Sequence, residues 1–266
     1  MNVVTMPADE RDRQVTMSNR LARAAHGLNL AEKRLVALGL VGTDPSTGLP
    51  ITRPTEKGEC TLRVTAQQYA RAFSVDPTTA YEQMKAAADK LFERYVRYEE
   101  PGPRGPKETK FRWVSSCSYA TGEGYVELTF SSKVTPHLQN LREQMTTYKL
   151  RQASGLQSVY AWRLFEVLKS CESNGVYETL IEDFWIAMDA PPSCRKDFKA
   201  LRIRVIEPAI EELKAKAGLQ VEWQKLCNGS KRVSGLHFTF RPDPQGRLDI
   251  DSDSALVQEV VDTAVA

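Results

Sequence analysis

A chain of 266 residues, 41% hydrophobic and 26% charged, has the composition of a globular protein and the length for two domains of about 100–150 residues each. No run approaches the ~20 apolar residues of a membrane span, and Met1 to Arg20, with Asp9, Glu10, Arg11, Asp12 and Arg13, lacks the apolar heart of a secretory leader; a cytoplasmic protein with no membrane partner is expected. The net charge of +2 hides an asymmetry, since Pro242 to Ala266 carries −5 and the remainder +7, a basic body that suits a polyanionic partner.

In chain order, Ser18 reads as the cap of a helix running to about Gly27. Asn29-Leu30-Ala31-Glu32 reads as a capping box for a second helix, with Leu35 and Leu38 on its apolar face. Thr43 to Gly58, rich in proline and glycine, is a loop. Cys60 to Val64 is strand-like, and Thr65 caps a short helix through Tyr69 and Phe73. Asp76-Pro77 supplies a cap followed by proline at the first helical position, and the helix it starts aligns Tyr81, Met84, Ala88, Leu91 and Tyr95. A basic, Pro/Gly-rich segment (Pro101 to Lys110) precedes two β-rich runs, Phe111 to Tyr119 and Tyr125 to Phe130, joined at Thr121 to Gly124. Helix, turn, longer helix and hairpin in that order describe a winged helix.

Thr135-Pro136 starts a further helix, and Ser154 is the expected cap of a longer one through Val159, Trp162, Leu164, Phe165 and Leu168. The earlier order then returns. Val176 to Leu180 is strand-like, Ile181 to Met188 a short helix and Asp189 to Ser193 a turn. A long helix is predicted from Cys194 to about Ala217, and a hairpin from Leu219 to Leu226 and Val233 to Phe240 around Asn228-Gly229. The expected fold class is α+β and helix-rich, with two tandem winged-helix domains bearing short β-hairpin wings. The expected boundaries are an unstructured arm at 1–17, a first domain at 18–132, a second at 133–241 and an acidic, unstructured tail at 242–266.

The residues from Arg195 to Arg204 hold five cations (Arg195, Lys196, Lys199, Arg202, Arg204) and one acid, Asp197. At about 100° per residue, Phe198, Leu201, Val205 and Ala209 form an apolar stripe. Arg195, Lys196 and Lys199 occupy another arc with Arg204 at its edge, and Arg202 flanks the stripe as a phosphate contact or salt-bridge partner. Beyond them Ile206, Ile210 and Leu213 make the far end apolar, and Pro208 predicts a bend because it cannot donate to the Arg204 carbonyl. A helix that is basic at its start and anchored at its end can enter the major groove, where arginine and lysine reach guanine O6 and N7 or phosphate oxygens. The second wing, with Lys231 and Arg232 beside Gly229, adds charge for affinity. In the first domain Thr79, Gln83, Ala86 and Lys90 face outward, and Arg104, Lys107, Lys110 and Arg112 give its wing positive charge. The second domain is therefore expected to dominate base readout, and the first to supply backbone contacts or a dimer surface.

Catalysis has little support. The five cysteines (Cys60, Cys117, Cys171, Cys194, Cys227) contain no Cys-x-x-Cys pair, and His26, His137 and His237 have no metal-ligand spacing. A nicking His-x-His cluster and a Gly-x-x-x-x-Gly-Lys phosphate loop are both missing. The expectation is a protein that is not an enzyme, with no catalytic residues, metal or cofactor.

The chain resembles the replication initiators of iteron plasmids. The resemblance spans Ser18 to Phe240 and rests on Asn29 to Leu35, Ala80-Tyr81-Glu82-Gln83-Met84-Lys85, Leu91-Phe92-Glu93-Arg94, Tyr125 to Ser131 with Pro136-His137-Leu138, Ser158 to Glu166, and Arg204 to Glu212. It implies monomers bound to directly repeated double-stranded DNA sites at an origin. It further implies homodimers at an inverted repeat that repress the protein's own gene, opening of an A+T-rich segment, and recruitment of the host initiator ATPase and replicative helicase. Carried over residue by residue, DNA contact falls on Lys199, Arg202 and Arg204. The competing expectations are a winged-helix transcriptional repressor with no role at an origin, and a scaffold whose basic surface binds protein or anionic lipid.

Overall fold

The computed structural model describes residues 9–24, 26–41, 58–100, 102–138, 144–229 and 232–243. The arm before Asp9, the body of the Thr43 to Gly58 loop, Lys231 of the second wing and the tail after Asp243 lie outside the described residues. The chain divides into two compact units, Met1–Leu150 and Arg151–Ala266.

The first unit opens on β1 (Gln14–Ser18), in residues assigned above to an arm. Ser18 ends that strand and caps α1 (Asn19–Ala22), its hydroxyl accepting from the Leu21 N–H at 3.2 Å. In α2 (Leu30–Leu40) the capping box is complete, with both Asn29 and Glu32 taking part. β2 (Cys60–Thr65), α3 (Ala66–Phe73) and α4 (Pro77–Phe92) follow, α3 under a Thr65–Gln68 capping box and α4 under Asp76 with Pro77 at its start. The core sits where Met84, Ala87, Ala88 and Leu91 of α4 meet the buried Val126, Leu128 and Phe130 of the sheet.

Several expectations about this unit need correction, the first being that the helix capped by Ser18 ends at Ala22 rather than near Gly27. The α4 helix stops at Phe92, short of Tyr95, which begins β3 (Tyr95–Glu100). The apparent single run Phe111 to Tyr119 is two strands, β4 (Lys107–Arg112) and β5 (Val114–Ala120), with buried Trp113 between them. The Trp113 N–H donates to the Arg94 carbonyl at 3.4 Å, while its own carbonyl accepts from the Ser131 N–H at 3.0 Å. Its two backbone groups thus serve different ribbons, and the chain crosses there from one pairing partner to another. β4 pairs with β3 in a separate two-stranded ribbon, whereas β5 and β6 (Tyr125–Phe130) join β2 in a three-stranded sheet of order β2-β6-β5. Thr135–His137 forms a single tight turn, and β7 (Met145–Lys149) pairs antiparallel with β1, Val15 opposite Tyr148. That pairing draws the stretch after Ser132 into the first unit, so the chain divides at Leu150 rather than at 132/133.

The second unit begins with α5 (Arg151–Ser154) and α6 (Val159–Lys169). The cap of α6 is Ser158, whose hydroxyl accepts from the Tyr160 and Ala161 N–H groups, and not Ser154, which lies inside α5. Trp162, Leu164, Phe165 and Leu168 are buried, as is Arg163, which is 2% exposed. Arg163 donates Nε to the Ala187 carbonyl at 3.0 Å, and burial lowers its pKa from the ordinary arginine value. β8 (Val176–Leu180) and α7 (Ile181–Ala187) precede the helical segment considered below, and β9 (Leu219–Cys227) and β10 (Val233–Pro242) complete a sheet of order β8-β10-β9.

Glu212 holds the start of α6 from outside it. Its carboxylate accepts from the Gln157 N–H at 2.6 Å and the Ser158 N–H at 3.1 Å, and it pairs with Lys216 at 3.2 Å. A carboxylate on backbone donors at a helix start is a charge-assisted cap. Glu212→Ala is expected to cost the second unit about 2 kcal/mol, read by urea unfolding through Trp162, Trp185 and Trp223. A midpoint equal to wild type would mean that solvent replaces the carboxylate without loss.

Candidate nucleic-acid interface

In the second unit the segment predicted as one helix from Cys194 to Ala217 is three pieces and a widened turn. α8 (Pro192–Lys196) ends at Asp197, whose extended backbone (φ −131°, ψ 109°) interrupts the spiral. The Asp197 carboxylate then accepts from the Lys199 N–H at 2.8 Å and caps α9 (Phe198–Leu201). Aspartate favours such a cap over a helix interior, which is the physical reason for the break. Arg195 and Lys196 therefore sit on α8, apart from the helix that carries Lys199, Arg202 and Arg204.

From Arg202 to Ile206 the helix opens into a π-type turn, in which the Glu207 N–H bonds back to the Arg202 carbonyl, and α10 (Glu207–Ala217) continues from it. Pro208 brings no N–H to the Arg204 carbonyl, so the bend expected at this proline takes the form of a wider turn. Leu201, Val205, Ile206, Ala209 and Leu213 are buried and fix the rod to the core. Phe198 packs against Trp223 of β9, ring centroids 6.2 Å apart, which ties the start of α9 to the wing strand.

Most of the long side chains this scaffold leaves exposed between Arg195 and Arg204 are cationic. Lys199 and Arg204 have no ion pair among the described residues, and both are exposed. Arg202 pairs with Glu207 at 3.5 Å, each about half exposed (45% and 44%), a salt bridge being one of the two roles expected from its position beside the stripe. Such an exposed pair holds at most about 1 kcal/mol and can be exchanged for a phosphate. Arg195 is exposed but donates Nε to the Ala190 carbonyl at 2.7 Å, which tethers it to its own turn. Lys196 is exposed at the end of α8. Around the left-handed Gly229 (φ 63°), Lys225 and Arg232 of the wing are exposed.

The first unit presents a different surface. Thr79, Gln83 and Lys90 are exposed on α4, with Gln83 Nε2 donating to Thr79 Oγ1 at 3.1 Å and that hydroxyl to the Asp76 carbonyl at 3.2 Å. The cations assigned to its wing are elsewhere. Lys107 and Lys110 lie on the β3–β4 ribbon and Arg104 in its turn, while the hairpin of the three-stranded sheet is β5–β6. Lys110 Nζ stands 4.1 Å from the centre of the Tyr95 ring. Arg112 donates to the Phe92 carbonyl and lies 5.1 Å from the Tyr95 ring, so it braces the ribbon against α4. The sequence reading passed over Ile203, 47% exposed between Arg202 and Arg204. Its signal was its spacing, two residues from both Leu201 and Val205 and so opposite the buried stripe.

Comparison with known proteins bears on both units. Residues 14–169 match the family described as initiator replication protein, WH1, and residues 180–240 the one described as initiator Rep protein, WH2. The chain is 26% identical to the uncharacterised 27.6 kDa protein of Escherichia coli, over 79% of this chain and 88% of that protein. It is 22% identical to the probable replication protein rep of Bifidobacterium longum (74% and 66%), and 21% identical to the PI protein of Escherichia coli (91% and 87%). The crystal structure of the Pi initiator protein in complex with iteron DNA has a similar fold, with a TM-score of 0.70 at 20% identity over 88% of this chain and 99% of that one.

Proposed function

This chain belongs to the initiator replication protein family, with a WH1 and a WH2 winged-helix domain, and from that premise we propose that it starts replication of an iteron plasmid by binding repeated double-stranded DNA sites at the origin. The observation that carries the reading is the exposed cationic face Lys199, Arg202 and Arg204 on a helix whose opposite side is locked into the core. Cations on a rigid rod meet the demand of major-groove readout, that donors be held in a fixed register against base edges. Among the similar proteins, the Pi initiator was crystallised with iteron DNA.

In this reading the second unit reads bases. Arg195, Lys196, Lys225, Lys231 and Arg232 supply phosphate contacts, and Thr79, Gln83, Lys90, Lys107 and Lys110 of the first unit add backbone contacts or border a dimer surface. Monomers act at the origin and help open its A+T-rich segment, where the host initiator ATPase and replicative helicase are recruited. Homodimers at an inverted repeat repress the protein's own gene. The protein works in the cytoplasm without catalysis or cofactor.

A footprint of the full chain on the DNA flanking its coding sequence, at physiological salt with random duplex as competitor, tests the reading. Protection of tandem repeats beside an A+T-rich stretch is the expected result. Protection of a promoter palindrome alone would make the protein a repressor. Replacing Lys225 and Arg232 by alanine is expected to weaken cognate and random duplex alike and to flatten the salt dependence by about one unit per lost phosphate contact. An unchanged slope would remove the second wing from the interface.

A further inference from the structure

A large apolar side chain at the centre of a cationic face is out of place on a surface built only for phosphates. Ile203 is 47% exposed, and its neighbours Arg202 and Arg204 are exposed as well. Leu201 and Val205, two residues to either side, are 0% and 1% exposed, so Ile203 projects from the side of the rod opposite its anchor. Pro208 denies Arg204 an ordinary helical bond, and the resulting wide turn from Arg202 to Ile206 carries all three outward-facing side chains. A branched four-carbon side chain offers neither hydrogen bond nor charge. In a major groove the one feature it can recognise is the C5 methyl of thymine, which stands among the donors and acceptors of the base edges.

We propose that Ile203 is a specificity-determining residue that contacts a thymine methyl in the preferred duplex, between the positions contacted by Arg202 and Arg204. The proposal rests on the DNA-binding reading above and deepens it. Arg202 and Arg204, by this geometry, bracket a step at which thymine is preferred over cytosine, because cytosine lacks the methyl and offers an amino group that an isoleucine cannot satisfy. The side chain is free of the core, so its replacement leaves the fold intact.

The test uses the full chain and a duplex obtained by selection from a randomised pool. Each thymine of that duplex is replaced in turn by uracil, which deletes only the methyl, and binding of wild type, Ile203→Ala and Ile203→Val is measured. At one thymine, uracil is expected to weaken wild type about fourfold, the worth of one buried methyl group, to leave Ile203→Ala unaffected, and to leave Ile203→Val in between. An equal loss for wild type and Ile203→Ala would trace the effect to the DNA and overturn the proposal, as would a duplex in which no uracil matters. A selection that returned no preferred duplex would remove the DNA-reading function itself, a failure distinct from that of the thymine contact.

Discussion

Replacing Lys199 and Arg204 together by glutamine is expected to reduce sharply the distinction between the preferred duplex and random DNA while leaving the fold untouched. Each lost base contact costs about 1–3 kcal/mol of specific binding, so the pair corresponds to roughly one and a half to four orders of magnitude if the two losses add. Additivity is reasonable for cations that reach separate base pairs. Both side chains are exposed and without an ion pair among the described residues, so no buried partner is orphaned by their removal. Titration of a labelled duplex against random competitor, with circular dichroism as a fold control, reads the outcome. Arg202→Gln is expected to do less, because its charge is already shared with Glu207 at 3.5 Å. A double variant that still discriminated as wild type does would move the reading surface elsewhere.

The second large effect is on stability, at Glu32. This carboxylate is fully buried and accepts from the Asn29 N–H at 3.0 Å, Asn29 Nδ2 at 2.9 Å, and Arg94 Nε and Nη2 at 2.9 and 3.1 Å. It closes the capping box of α2 and clamps the residue at which the chain leaves α4 for β3. Glu32→Ala leaves four donors without their acceptor. Breaking a buried ion pair costs about 3–5 kcal/mol, and the partial exposure of Arg94, which water can reach, places this one near 3. Against a typical total of 5–15 kcal/mol that is a large share. Trp113 is the one tryptophan of the first unit, so urea unfolding followed in a variant with tyrosine at Trp162, Trp185 and Trp223 isolates it. Glu32→Gln, which keeps an acceptor, is expected to fall between alanine and wild type. An unshifted midpoint for Glu32→Ala would show that the clamp contributes only geometry.

What the sequence made legible followed from local chemistry. Asn29 with Glu32, Thr65 with Gln68, and Asp76 before Pro77 each announce a helix start through side chains that bond nearby backbone, and each stands where it was expected. Alternating burial in β6 and the Asn228-Gly229 turn were readable for the same reason. The errors arose where a distant partner decides. The end of α4 depends on the pull of Glu32 on Arg94, and the split at Trp113 on carbonyl and N–H partners in separate ribbons. The β1 strand requires β7, more than a hundred residues away in sequence, with Gln14 opposite Lys149.

The candidate interface divides in the same way. Basic residues between Arg195 and Arg204 were countable, and the exposure of Lys199, Arg202 and Arg204 followed from periodicity. The break at Asp197 was missed because helical periodicity outweighed a capping residue in the middle of a charged run, and it set Arg195 and Lys196 on another element. Pro208 signalled a disturbance one turn earlier, but not that the helix would widen. The cations of the β3–β4 ribbon were placed on the wrong hairpin once the break at Trp113 was passed over.

Methylation interference on the selected duplex tests the central claim most directly, because dimethyl sulfate marks guanine N7 in the major groove and adenine N3 in the minor. The account predicts that N7 methylation at discrete guanines blocks wild-type binding, and that Arg204→Gln becomes indifferent to at least one of them. Binding that no guanine N7 methylation disturbs, or an interference pattern identical in wild type and in Lys199→Gln/Arg204→Gln, would contradict it.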